Sequence, residues 1–210
     1  APLGRAPVGG RAKRAVDLAV AVPLAIATAP IMAGVAAWIR RDSPGSPIFR
    51  QERIGYGGNP FTLFKFRTMR TRSEHAGTGH RVSATDTRVT RAGRVLRATS
   101  LDELPQLWNV IRGDMSIVGP RPTVAWQVTQ YSPHERRRLL ARPGITGLAQ
   151  VRGRNSIPWS RRIEIDIEYV EHWSLRLDLE ILAKTLKVIL ARRDTHTEAP
   201  AFDLGRPPTG

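Results

Sequence analysis

Hydrophobic and polar positions segregate sharply along this chain. From Leu18 to Trp38 there are 21 residues without a single charge, LAVAVPLAIATAPIMAGVAAW. At about 1.5 Å rise per residue, a helix of that length reaches across a hydrocarbon core of about 30 Å. Two features argue against a plain crossing. Pro23 and Pro30 fall inside the segment, each removing a backbone donor. Positive charge flanks both sides, Arg11, Lys13 and Arg14 before it and Arg40 and Arg41 after it, whereas a spanning helix carries a one-sided bias. The pattern predicts a helix over 15–41 that enters one leaflet, breaks near Pro30 and returns to the same face. It is too long for the apolar core of a secretory signal, and no cleavage site follows it. Residues 1–14, basic and rich in Gly and Pro, read as a flexible arm.

Beyond the apolar segment the periodicity changes. Residues 42–60 are rich in turn formers, and the cluster from Gly55 to Pro60 signals a hairpin or a loop. FTLFKFRTM, 61–69, alternates as a strand, placing Lys65 and Arg67 on one face and Phe64 and Phe66 on the other. Residues 71–87 are small and polar and read as a mobile surface loop. Arg88, Arg91, Arg94 and Arg97 recur at every third position, a basic stripe serving either as a solvated face or as an anion-binding one. Residues 100–115 predict a helix whose apolar face is Leu104, Leu107, Trp108 and Ile111 and whose stop is Gly113. Residues 116–124 form a rigid Pro/Gly turn that presents Arg121, and 142–155 read as a basic loop. Ile163, Ile165 and Ile167 alternate with acids, which leaves strand and helix both open there. Residues 175–193 predict an amphipathic basic helix suited to a core or a lipid surface, and 194–210 a flexible tail.

Charge and composition sharpen this. The 210 residues carry 33 Lys+Arg against 18 Asp+Glu, a net charge of +15, so an anionic partner is expected: nucleic acid, a phosphorylated small molecule or an acidic membrane surface. The mean hydropathy of −0.28 argues against a membrane protein only if averaged over the whole chain, and the averaging hides the apolar segment. With no cysteine, disulfides, thiolate metal sites and thiol nucleophiles are excluded. The five histidines are scattered without metal-ligand spacing, and there is no phosphate-binding Gly-rich fingerprint.

Candidate chemistry centres on the adjacent acids Asp102 and Glu103. A capping box from Ser100 to Glu103 is the structural alternative, but it would put Pro105 where a helical N–H is needed. A helix starting about two residues later leaves both carboxylates at its N-terminus, where the dipole favours their ionised forms. An ionised aspartate can attack phosphorus, and a neighbouring carboxylate can hold Mg²⁺. Arg121, clamped between Pro120 and Pro122, is suited to grip phosphate as a fork, and Lys65 and Arg67 to assist from the strand.

Taken together, KRAVDLAVAVPLAIATAP, DSPGSPIFRQERIGYGG, FKFRTM, RVTRAGRVLRATSLDELPQLWNVIRGDMSIVGPRP, RPGITGLAQVRGRN and YVEHWSLRLDLEIL resemble the bacterial sugar transferases, the monotopic phosphoglycosyl transferases, over roughly residues 12–190. The resemblance implies an α+β fold: a small, mostly helical catalytic domain over 42–193 with a short β-hairpin, behind a re-entrant membrane helix. It implies transfer of a sugar-1-phosphate from a UDP-sugar to a polyprenol (undecaprenyl) phosphate with release of UMP, at the cytoplasmic face of the bacterial inner membrane and in contact with its phospholipid bilayer. Asp102 would be the nucleophile and Glu103 the Mg²⁺ ligand; Lys65, Arg121 and, as an additional candidate, Asp178 match positions the family uses at its active site. The family breaks its membrane helix at a Ser-Pro pair; here the pair is Ala29-Pro30, with the Thr28 hydroxyl as a candidate partner for the freed carbonyl. The rival from another class is a membrane-anchored basic nucleic-acid-binding module, but the aromatic residues show no stacking platform, and nucleic acid is not expected as a partner.

Overall fold

The computed structural model describes residues 7–70, 86–153 and 157–190. The apolar segment forms α1, Gly10–Asp42, a single helix with Pro23 and Pro30 inside it. The break predicted at Pro30 is therefore not a gap in the helix. Thr28 donates to the Leu24 carbonyl, the ordinary bond back one turn, rather than to a carbonyl that Pro30 frees. The buried positions of α1, Lys13, Asp17, Ala21, Val35 and Ile39, lie at its two ends. Between them Val22, Leu24, Ile26 and Ile31 are exposed, Ile26 by 70%.

The arm predicted for 1–14 is corrected from Gly10 onward, where the chain is already helical. Lys13 is buried against Asp178, and the Arg14 fork donates to the carbonyls of Val110 and Ile111. Both partners lie about a hundred residues or more away along the chain. Residues 1–6 and the tail 191–210 lie outside the described residues, as do 71–85 of the predicted loop.

Strands β1, Ile48–Ile54, and β2, Pro60–Phe66, pair antiparallel from Ile48↔Phe66 to Ile54↔Pro60, the hairpin the turn residues predicted. Gly57 and Gly58 in its turn hold φ of 67° and 83°, which only glycine adopts freely. Helix α2, Arg91–Thr99, is capped by the Thr90 hydroxyl, which accepts from the Gly93 amide. Gly93 packs directly on the Thr68 backbone, where a Cβ would stand 2.0 Å from the carbonyl oxygen.

The predicted 100–115 helix divides. Ser100, at φ 57°, turns the chain out of α2 into a 3₁₀ turn over Leu101–Glu103, and α3 runs Gln106–Arg112. Ser100 makes no side-chain cap, so the capping box is not formed. The two acids thus precede α3, on a turn of their own.

Two regions predicted as loops contain strands. β3, Ser116–Val118, pairs parallel with β4, Gly144–Thr146. Helices α4, Ala125–Thr129, and α5, Leu148–Arg152, follow β3 and β4. The ambiguous isoleucine segment is helix α6, Trp159–Glu171, and α7 spans Leu175–Leu190.

Two apolar clusters share α1. Its first half packs Ala21 with Leu107, Val110, Met115, Val118, Tyr169 and Ile181. Its second half packs Val35 and Ile39 with Phe66, Ala92 and Leu96. Leu104, in the turn that carries the two acids, contacts both clusters. The turn therefore sits where hairpin, α2, α3 and α1 converge.

Candidate active site

Three elements deliver side chains to the turn at Asp102 and Glu103. Lys65 comes from β2, and its Nζ donates to Glu103 Oε1 at 3.3 Å. Arg121 comes from the turn after β3, and its Nη2 donates to the same oxygen at 3.1 Å. Arg97, on the last turn of α2, donates from Nε to the Thr68 hydroxyl at 2.9 Å, and its charge reaches Asp102. Lys65, Arg121, Asp102 and Glu103, expected together from the sequence, do converge.

The two neighbouring carboxylates are unequal. Burial would raise Glu103, but the charges and hydrogen bonds of Arg121 and Lys65 outweigh it and hold Glu103 down at about 2. Asp102 makes no hydrogen bond or ion pair among the described residues. Burial, and then the Glu103 charge beside it, push Asp102 up to about 6 against the pull of Lys65, Arg97 and Arg121. One carboxylate is locked as an anion by two cations, and its neighbour is a poorly solvated carboxylate with no partner among the described residues.

Buried polar contacts fix this geometry. Asn109 of α3, fully buried, accepts from the Phe64 amide at 3.0 Å and donates to the Thr62 carbonyl at 2.6 Å. It bolts α3 to the strand that bears Lys65. The Arg121 turn is gripped by two guanidinium groups: Arg138 donates to the Arg121 carbonyl at 3.0 Å, and Arg53 to the Pro122 carbonyl at 3.4 Å. The Ile54 amide donates to the Thr123 carbonyl at 2.8 Å. Arg138 is itself buried against Asp166 at 2.6 Å. Sequence reasoning missed Asn109, Arg53 and Arg138. A polar Asn on an otherwise apolar helical face was the one available signal.

Two predicted site residues lie elsewhere. Arg67 is 7% exposed, and its fork donates to the carbonyls of Ser43 at 2.7 Å and Pro44 at 2.5 Å. β2 ends at Phe66, so Arg67 leaves the face shared with Lys65 and closes the C-terminal end of α1. Asp178, on α7, accepts from Lys13 Nζ at 2.6 Å, from the Tyr169 hydroxyl at 2.7 Å and from Trp173 Nε1 at 3.2 Å. Those contacts tie α7 to the start of α1. The basic stripe also divides: Arg88 pairs with Asp86, and Arg97 alone among the four reaches the acid pair.

The donor set fits Mg²⁺, which is commonly held by one or two carboxylates with substrate phosphates and water filling the remaining positions. Both hydrogen bonds to Glu103 fall on Oε1, and Oε2 accepts none among the described residues. No cluster of three or more metal-ligating side chains occurs among the described residues.

The fold is a mixture of helices and two small sheets, with a long exposed apolar helix and an acid pair of which Glu103 is gripped by two cations. Residues 8–192 match the family model described as bacterial sugar transferase, and the chain belongs to that family. It is 42% identical to the uncharacterized sugar transferase EpsL of Bacillus subtilis, over 90% of this chain and 95% of that one. It is 46% identical to the UDP-glucose:undecaprenyl-phosphate glucose-1-phosphate transferase of Caulobacter vibrioides, over 90% of this chain and 73% of that one. The Xanthomonas campestris transferase of the same name is 42% identical over 88% of this chain, which corresponds to 40% of its own length.

Proposed function

We propose that this protein transfers a hexose-1-phosphate from a UDP-sugar to a polyprenol phosphate at a membrane surface, releasing UMP through a covalent phosphosugar–Asp102 intermediate. The observation that carries this reading is the inequality of the acid pair. Asp102 is unpartnered among the described residues, while Glu103 is fixed by Lys65 and Arg121. Relatives whose names specify UDP-glucose and undecaprenyl phosphate support the substrate class.

In the first half-reaction, an Asp102 oxygen forms a bond to the β-phosphorus of the donor. The bond between that phosphorus and the bridging oxygen breaks, and its electron pair leaves on UMP. Lys65 and Arg121 offset charge on the phosphoryl oxygens, and the carbonyl contacts from Arg138 and Arg53 keep the Arg121 turn from yielding. Mg²⁺, held by Glu103 and the donor phosphates, would supply further charge neutralisation. In the second half-reaction, a phosphate oxygen of the polyprenol phosphate attacks the same phosphorus and Asp102 leaves as the carboxylate.

A membrane location follows from α1. Its exposed middle is apolar, yet both of its ends are buried against the same folded body, through Ala21 and through Val35 and Ile39. A helix crossing the bilayer would carry one end about 30 Å away from a domain resting on the other face. Docking at both ends suits a helix that dips into one leaflet and returns, keeping the acid pair at the lipid surface.

Incubation with sugar-labelled UDP-sugar and no acceptor tests the reading. Label is expected on the protein, together with one UMP per label, and Asp102→Asn should abolish both. Labelling that survives this substitution would remove Asp102 from its role.

A further inference from the structure

Arg53 closes β1, half-buried, with its guanidinium held on edge by one neutral side chain. Its Nε and Nη2 both donate to Gln51 Oε1, at 3.1 and 2.7 Å, and Nη1 reaches the Pro122 carbonyl at 3.4 Å. Arg121 and Arg138, which meet at the same turn, are each matched with an acid, Glu103 and Asp166. Arg53 has no carboxylate within ion-pair distance among the described residues, and its acceptors are neutral oxygens. It is also set beside a like charge. Burial, and then the neighbouring Arg121, lower Arg53 to about 10, which still leaves it protonated at neutral pH.

Two guanidinium groups held side by side, one without a counter-ion, are an unfavourable arrangement unless an anion completes it. The position specifies which anion. Arg53 donates to the carbonyl of Pro122, the residue after Arg121, and its charge bears on Arg121 and on Lys65, while neither acid of the pair is among the charges that bear on Arg53. A pyrophosphate whose β-phosphorus faces Asp102, and whose next phosphate extends past Arg121, would bring that second phosphate to Arg53.

Resting on the transferase reading above, we propose that Arg53 binds the α-phosphate of the nucleotide donor and stabilises the nucleoside monophosphate as it leaves. The forming bond is Asp102 oxygen to β-phosphorus; the electron pair of the broken bond settles on the α-phosphate oxygens, where the Arg53 charge meets it. Gln51 is the orienting residue: by taking two donors onto a single neutral oxygen it fixes the plane of the fork without neutralising it.

The test is calorimetric titration of the detergent-solubilised full chain with UMP and with uridine, on wild type, Arg53→Gln and Arg53→Lys. UMP affinity should fall at least tenfold in Arg53→Gln and less in Arg53→Lys, while uridine affinity stays level. Equal losses for UMP and uridine in Arg53→Gln would reduce Arg53 to a structural brace of the turn and overturn the proposal. So would unchanged UMP binding in that variant. If the wild type itself binds neither UMP nor uridine, the transferase reading fails and the assignment of Arg53 with it, a pattern distinct from either loss confined to the variant.

Discussion

The Lys13 ammonium donates to Asp178 Oδ2 at 2.6 Å, with both side chains about 5% exposed. This contact joins the first turns of α1 to α7 across 165 residues of sequence. The Tyr169 hydroxyl donates to the other Asp178 oxygen at 2.7 Å and to the Val118 carbonyl at 3.2 Å, so the pair also braces the strand that leads to Arg121. One turn further along α1, Asp17 accepts from the Ser116 hydroxyl at 2.8 Å and from the Ile117 amide at 3.0 Å. The start of the apolar helix is thus bonded to β3 by ionic and hydrogen-bonding groups rather than by apolar packing alone.

Removing one member of this pair strands a buried charge, which typically costs about 3–5 kcal/mol. Asp178→Ala and Lys13→Met should each lower the unfolding midpoint in denaturant, and the double variant should lose less than the sum of the two. If Asp178 acts as an anchor, the specific activity of the folded fraction of Asp178→Asn should stay within a few-fold of wild type. A drop of several orders of magnitude in fully folded Asp178→Asn would return that residue to the chemistry.

Glu103 accepts from Lys65 and Arg121 on one oxygen, so its loss frees two cations as well as a carboxylate. Arg121→Gln should reduce kcat/KM for the nucleotide sugar by about 10²–10³, the usual effect of removing one preorganised charge-stabilising donor. Arg121→Lys should recover part of that loss, because the charge returns without the fork. Chelation should abolish transfer and added Mg²⁺ restore it, and Glu103→Gln should require more Mg²⁺ for half-maximal activity. Activity that is indifferent to both chelation and Glu103→Gln would exclude Glu103 as a ligand.

The Asp102 carboxylate is raised to about 6, first by burial and then by Glu103. The reactive form is the anion, so kcat/KM for the donor should fall as pH drops through about 6. Glu103→Gln removes one cause of the raised value, and the acidic limb of the profile should move to lower pH in whatever activity remains. Linkage runs in the matching direction. A carboxyl raised in the fold contributes stability at low pH that is lost as pH rises through about 6, so Asp102→Asn should gain relative stability above that pH. A profile flat from pH 5 to 8, measured with chemistry limiting, would contradict the assignment.

The hairpin, the apolar helix and the acid pair were legible because each is a local pattern: turn glycines, an uncharged run and adjacent carboxylates before a proline. What escaped was set by distant partners. Arg14 reads as part of a basic arm until the carbonyls of Val110 and Ile111 are brought to it. Arg67 reads as a phosphate ligand until β2 stops one residue earlier and the end of α1 takes its fork. The parallel pair β3 and β4 was hidden by its own glycines, which suggest loop while serving contact. A Cβ on Gly144 would stand 2.1 Å from the Gly119 amide nitrogen, and one on Gly147 2.2 Å from the Gly119 carbonyl oxygen. Short strands whose backbones touch in this way offer no alternating pattern to read.

The apolar helix carries the last prediction. α1 is unbroken through both prolines, and its length and hydropathy alone would equally suit a crossing. The discriminating feature is that Ala21 at one end and Ile39 at the other pack into clusters that meet at Leu104. Because the chain has no cysteine, single cysteines report position without background. Ala12→Cys and Ser46→Cys place thiols at exposed positions near the two ends, and Ile26→Cys places one at the exposed apolar middle. In inverted membrane vesicles a membrane-impermeant maleimide should label both end positions and leave the middle protected, and in right-side-out vesicles it should label none. Labelling of one end from each side would establish a crossing helix and require the packing at one end to be absent in the membrane. Labelling of Ile26→Cys at the rate of the ends would place α1 outside the bilayer altogether.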